Sequence, residues 1–128
     1  MHENEKLLRE GYEAFAKADL DAIRELFAPD VIWHVDGRGP ISGTYKGRDE
    51  VLGFLGELVS RSDGTVKLEL HDVLANDQHA VALATTTAQR GDQRYHGQGV
   101  ATYHVKGGKV TEAWFANNDQ YAADEFWA

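Results

Sequence analysis

GYEAFAKADLDAIRELFAPDVIWHV, residues 11–35, changes hydrophobic period twice. Upstream of it and into its start, Leu7, Leu8, Gly11, Tyr12 and Phe15 recur at three-and-four spacing, which predicts a helix over Glu3 to Lys17. Ala18-Asp19 breaks that pattern. Asp19 is a good N-cap for a second helix carrying Ala22, Ile23, Leu26 and Phe27, which Pro29 would end. Val31 to Val35 then reads as a short strand, with Val31, Trp33 and Val35 on one face.

Working outward, DGRGPISGTYKG (residues 36–47) has four glycines and a proline and reads as a loop. Helical period returns from Arg48 to Arg61 through Val51, Leu52, Leu55, Leu58 and Val59. Four strand-like runs follow: Thr65 to Ala75, Ala80 to Gln89, Tyr95 to Val105 and Lys109 to Asn117. NDQH, RGDQ and KGG connect them with turn chemistry, so the runs predict an antiparallel meander. Helices first and strands afterwards give an α+β class: three N-terminal helices on a curved, mostly antiparallel sheet. A sheet curved around so few helices encloses a hollow that side chains or a ligand must fill.

The bulk properties narrow the options. The 128 residues suit one domain spanning 1–128, and 42% apolar with 27% charged residues is an ordinary globular balance. There is no apolar run long enough for a membrane span, and the polar, acidic start MHENEKLLRE is no secretory signal. A cytoplasmic location is the expectation. With 13 basic against 21 acidic residues, a nucleic-acid partner is not expected. The absence of cysteine removes disulfides, thiolate metal sites and a Cys nucleophile.

The pieces GYEAFAKADLDAIRELFAPDVIWHV, SGTYKGRDEVLGFL and GKVTEAWFANNDQ, in this order, resemble the nuclear transport factor 2-like superfamily. More narrowly they resemble its SnoaL-like polyketide cyclase and ketosteroid isomerase-related branch. The resemblance covers nearly the whole chain. It implies a cone-shaped, cystatin-like fold whose mouth admits a small apolar ligand, and a homodimer through the convex sheet face. Ketosteroid isomerases of this fold use a Tyr on the first helix, an Asp on the first strand and a protonated Asp on the penultimate strand. Those positions fall here at Gly11, Val35 and Ala101, with Tyr12 one residue out of register, so that set is absent. A limonene epoxide hydrolase-like site would need an Asp-Arg-Asp cluster inside the cone, and the inward positions assigned to the middle strands hold no arginine.

The stretch WFANNDQY, Trp114 to Tyr121, carries the candidate chemistry. Read as strand, it puts Ala113, Phe115, Asn117 and Asp119 on one face, so an apolar wall ends in an amide and a carboxylate. The polyketide cyclase-like branch often has an acid near this place, and Asp119 matches it. Aldol-type cyclisation needs a base for a carbon-bound proton and a donor for the carbonyl oxygen. Asp119 is the candidate base, and His34 or Asn117 the donor. The competing readings are an Asp119 helix cap, an Asn117 turn and an outward-facing His34, since alternation turns His34 away from Trp33.

Pocket candidates from the helices and first strand are Tyr12, Phe15, Trp33, Val35, Phe54 and Leu58. From the meander and the chain end come Leu83, Thr85, Thr87, Ala101, Tyr103, Phe115 and Tyr121. No metal and no organic cofactor is expected; His96 and His104 alternate on the outer face without a third ligand. Thr86, Ala88, Val100, Thr102, Trp114 and Ala116 are assigned to a convex patch that a second copy would cover. Two functional readings follow: a cofactor-free cyclase, isomerase or hydratase-type lyase acting on a small hydrophobic carbonyl or aromatic molecule, or a non-catalytic ligand-binding or dimerisation module.

Overall fold

The computed structural model describes all residues, 1–128. In chain order its elements are α1 (Glu3–Ala16), α2 (Leu20–Glu25), β1 (Phe27–Val35), β2 (Gly43–Lys46), α3 (Arg48–Arg61), β3 (Lys67–Ala75), β4 (His79–Arg90), β5 (Gln93–Lys106), β6 (Lys109–Asn117) and α4 (Gln120–Trp127). One six-stranded sheet has the order β2-β1-β6-β5-β4-β3. All neighbours are antiparallel except β1 and β6, which run parallel. The α+β architecture, with helices packed on one face of a curved open sheet, is the expected one. No helix is long and apolar enough to cross a membrane.

Local chemistry sets the element ends. Asp19 caps α2, its carboxylate accepting from Ala22 N at 3.1 Å. Pro29, expected to stop a helix, lies inside β1 instead. It falls between Phe27 and Ile32, where the β1–β6 register shifts, and a strand tolerates a missing N–H at such an irregularity. Arg48 ties the start of α3 to β1 by donating Nε (2.9 Å) and Nη2 (2.5 Å) to Phe27 O. Buried Asn4 does the same for α1, donating Nδ2 to Asn76 O at 2.9 Å and Asp77 O at 3.2 Å in the β3–β4 turn.

Three further features depart from the sequence reading. The Gly/Pro loop contains β2, which pairs Gly43 to Lys46 with β1. A fourth helix, α4, follows the sheet and buries Ala123, Phe126 and Trp127. The third correction concerns β4, whose faces are opposite to those expected. Ala82 pairs with buried Ala101 and Ala88 with buried Tyr95, so Ala80, Ala82, Ala84, Thr86 and Ala88 point into the cone. Leu83 pairs with Val100, which is 37% exposed, and lies with Thr85 and Thr87 on the convex face. A slip of one residue exchanges the faces of a strand. Here the bulkier side chains point out because small ones are needed inside to leave a hollow.

Candidate functional site

The cone holds a cavity of about 180 Å³, and 24 of its 33 lining residues are apolar. Trp33 is the hub of its wall. Its ring meets Phe115 at 4.6 Å, Phe27 edge-on at 5.3 Å and Phe54 edge-on at 6.0 Å between centroids. The floor is β5, whose inward residues run Tyr95, Gly97, Gly99, Ala101, Tyr103. Small residues between two tyrosines give the hollow its depth. Leu7, Leu8 and Tyr12 of α1 lie across from it, and Trp127 of α4 closes one side.

Two phenols meet at the wall. Tyr12 and Tyr103 share a 3.0 Å hydrogen bond between hydroxyls, and Tyr103 is only 5% exposed. Burial holds the Tyr103 phenol well above its usual pKa, and the adjacent Tyr12 pushes it further. Burial also raises Tyr12, against the hydrogen bond from Tyr103, which lowers it. Both stay protonated at neutral pH, and the pair has one hydroxyl proton to spare for a ligand oxygen. Tyr12, next to Gly11, lines the cone together with Tyr103.

The mouth is polar and stitched together. Asp124 of α4 accepts from Arg38 N at 3.0 Å and from Gln120 Nε2 at 3.0 Å. Asn117 Nδ2 donates to Gln120 Oε1 at 3.3 Å, and Ser42 Oγ donates to Asp36 O at 3.1 Å. Gly37, at φ 104°, lies so close to α4 that a Cβ would collide with Asp124 Oδ1 and Gln120 Nε2. Asp36 differs from the others. Its backbone carbonyl is held, the residue lines the cavity mouth, and its exposed carboxylate enters none of these bonds.

Of the expected site residues, Asn117 lines the mouth, but as a strut for Gln120. Asp119 does not line the cavity. It is exposed and caps α4, with Oδ1 accepting from Ala122 N at 3.1 Å. The strand ends at Asn117, so alternation no longer governs residue 119. His34 is on the convex face, bonded to Glu112 Oε2 at 2.6 Å, within 3.3 Å of Thr44 Oγ1, and stacked on Trp114.

The structure brings Tyr12, Phe15, Trp33, Val35, Phe54, Leu58, Ala101, Tyr103 and Phe115 together around the cavity. It excludes Leu83, Thr85 and Thr87 through the β4 register, and Tyr121 is 90% exposed on α4. Sequence reasoning missed Asp36, placed in the 36–47 loop, along with Ser42, Gln120, Asp124, Tyr95 and Trp127. The spacing of Ala123, Phe126 and Trp127 was the available sign of a buried helical face. No three His, Asp or Glu side chains converge as a metal-binding group.

The SnoaL-like domain family matches residues 8–113, most of the helices and sheet just described. The chain belongs to the SnoaL-like family. This SnoaL-like protein is 33% identical over 123 residues to an uncharacterized protein of Mycobacterium tuberculosis, covering 95% of this chain and 94% of that one. It is similar to the solved structure of Bal32a from a soil-derived mobile gene cassette: 33% identity, TM-score 0.95, 98% and 97% of the two chains covered. A protein of unknown function with a cystatin-like fold from Xanthomonas campestris shares 26% identity, TM-score 0.91, over 100% and 99% of the chains. An NTF2-like protein from Burkholderia xenovorans, 18% identical, has the same fold at TM-score 0.80 over 98% and 96% of the two chains.

Proposed function

We propose that this SnoaL-like protein binds a small hydrophobic molecule bearing a carbonyl group in its cone and performs cofactor-free acid–base chemistry on it. The observation that carries the reading is the pairing of protonated phenols in an apolar cavity with an unengaged carboxylate at its mouth. The Asp36 carboxylate takes a proton from the carbon next to the ligand carbonyl. The carbonyl oxygen gains the negative charge, and the free hydroxyl proton of the Tyr12–Tyr103 pair hydrogen-bonds it. Returning the proton to another carbon gives isomerisation; attack of the enolate on a second carbonyl gives ring closure, the new alkoxide taking back the proton held by Asp36. Asp36 replaces Asp119 as the candidate base.

The test is deuterium exchange at the methyl group of acetophenone in D2O, followed by NMR. The wild-type protein should accelerate exchange and Asp36→Asn should not, while still binding the ketone. Exchange that is unchanged in Asp36→Asn removes the base assignment. Binding without exchange in either protein leaves the non-catalytic binding module.

We also infer a homodimer formed through the convex face, where Leu83, Val100, Thr102 and Trp114 form a partly exposed patch beside the His34–Glu112 pair. A second copy laid on this patch would cover its apolar surface. Sedimentation velocity at micromolar concentration should show a dimer that Val100→Glu dissociates. A wild-type monomer would overturn this reading.

A further inference from the structure

The convex face of the sheet gathers four of the six histidines: His34 on β1, His79 on β4, and His96 and His104 on β5. Three of them run without a break through the patch around Trp114. His34 stacks on the indole with 5.3 Å between centroids, His104 meets it edge-on at 4.8 Å, and His79 lies edge-on to His104 at 4.8 Å. His79 and His104 are direct cross-strand partners on the side away from the cone, the first exposed and the second half-buried. Neutral imidazoles extend the apolar surface of Leu83, Val100 and Trp114, and imidazolium rings interrupt it. A free imidazole changes between these forms near about pH 6.5.

The carboxylates near these rings are engaged or distant. Glu112, the β6 partner of His104, is bonded to His34 Nε2 at 2.6 Å. Asp77, in the turn before His79, is bonded to His2 at 3.1 Å. Glu69 and Asp72 stand on β3, opposite Thr85 and Leu83. The remaining charged groups on this face, Lys67 on β3, Arg94 and Lys106 on β5 and Lys46 on β2, are cations and neutralise nothing. Protonated His79 and His104 therefore rely on water, and an apolar cover removes it at high cost. The face is wide enough for such a cover. Its strands β1, β3 and β6 have nine residues each, and β4 and β5 are longer. At about 4.8 Å between strands and about 3.3 Å per residue these five offer roughly 700 Å², close to the share of about 800 Å² that each partner buries in a stable interface. Leu74 and Val100, 56% and 37% exposed, lie on it.

We propose that the convex face is a self-association surface switched by protonation of His79 and His104: two copies pair through it while those rings are neutral and part when they are charged. The proposal rests on the homodimer inferred above and names its regulation. Its sign is opposite to what net charge alone would give. Acid lowers the magnitude of the formal charge of −8, which favours association by weakening repulsion between copies. At about 0.15 M salt that repulsion is screened over about 8 Å, whereas the histidines act inside the contact. Requiring one neutral imidazole of ordinary pKa per copy weakens the dimer about a hundredfold between about pH 7.5 and about pH 5.5.

The experiment measures the dimer Kd of the full chain by sedimentation equilibrium in about 0.15 M NaCl at these two pH values. Circular dichroism follows the fold at the lower one. The wild-type Kd should rise about a hundredfold in acid, with the monomer still folded. The His79→Gln/His104→Gln double variant should dimerise at both values with a change of less than about tenfold, because its face no longer gains that charge. His104→Arg, charged throughout, should dissociate at neutral pH as the wild type does in acid. A wild-type Kd that is unchanged or lower in acid overturns the switch while leaving the dimer. So does a full loss of affinity in the double variant, a His104→Arg dimer as tight as wild type, or dissociation that comes only with unfolding. A wild-type monomer at both values overturns the switch together with the homodimer.

Discussion

Tyr12→Phe and Tyr103→Phe each remove one hydroxyl from a bonded pair and strand the other. A buried polar group left alone costs about 1–3 kcal/mol, whereas deleting both partners is close to neutral. The two single variants should not be equal. Tyr12→Phe strands the Tyr103 hydroxyl, whose residue is 5% exposed, and belongs at the upper end of that range. Tyr103→Phe strands Tyr12, which is only half-buried, and belongs at the lower end. For a chain of this size about 1 kcal/mol shifts Tm by roughly 3–5 °C, so the singles should melt about 3–15 °C lower. The double variant should recover most of that loss, giving a coupling energy of about 3–4 kcal/mol. Urea denaturation at pH 7 with a constant m-value is the assay. Costs that simply add, or two silent single variants, would show that the 3.0 Å contact carries no energy.

Two further outcomes follow from the same structure. Asp119→Ala should cost about 1 kcal/mol through loss of the α4 cap, with ketone exchange unchanged per folded molecule; an activity loss larger than the unfolded fraction would return Asp119 to the site. Stability should fall as pH rises above about 10, because unfolded phenols then ionise while Tyr12 and Tyr103 are held protonated in the fold. Urea midpoints between pH 8 and 11 should show a flatter decline for the Tyr12→Phe/Tyr103→Phe double variant, and an identical decline would contradict the buried-phenol assignment.

The helical stripes and the meander were legible because period and turn chemistry are local. The face of β4 was not. The rule that large apolar residues point inward holds where a core is filled, and β4 borders a space left open. Its alanines look like surface filler in the sequence and are the inner wall in the fold. Tyr121 and Asp119 were misplaced for a related reason: alternation was carried past Asn117, where a cap and a helix take over. Asp36 was hidden differently. Nothing in DGRGP distinguishes a turn carboxylate from one at a cavity mouth until Gly37 is seen packed against α4.

The parallel pairing of β1 with β6 has a kinetic consequence. Trp33 lies beside Ala113, 80 residues further along the chain (113 − 33), so the wall that Trp33 anchors cannot close until almost the whole polypeptide has been gathered. The hairpins of β3 to β6 need only short loops and should organise early. The site would then be the last part of the molecule to take shape, with its aromatic lining uncovered to solvent for the longest time during refolding.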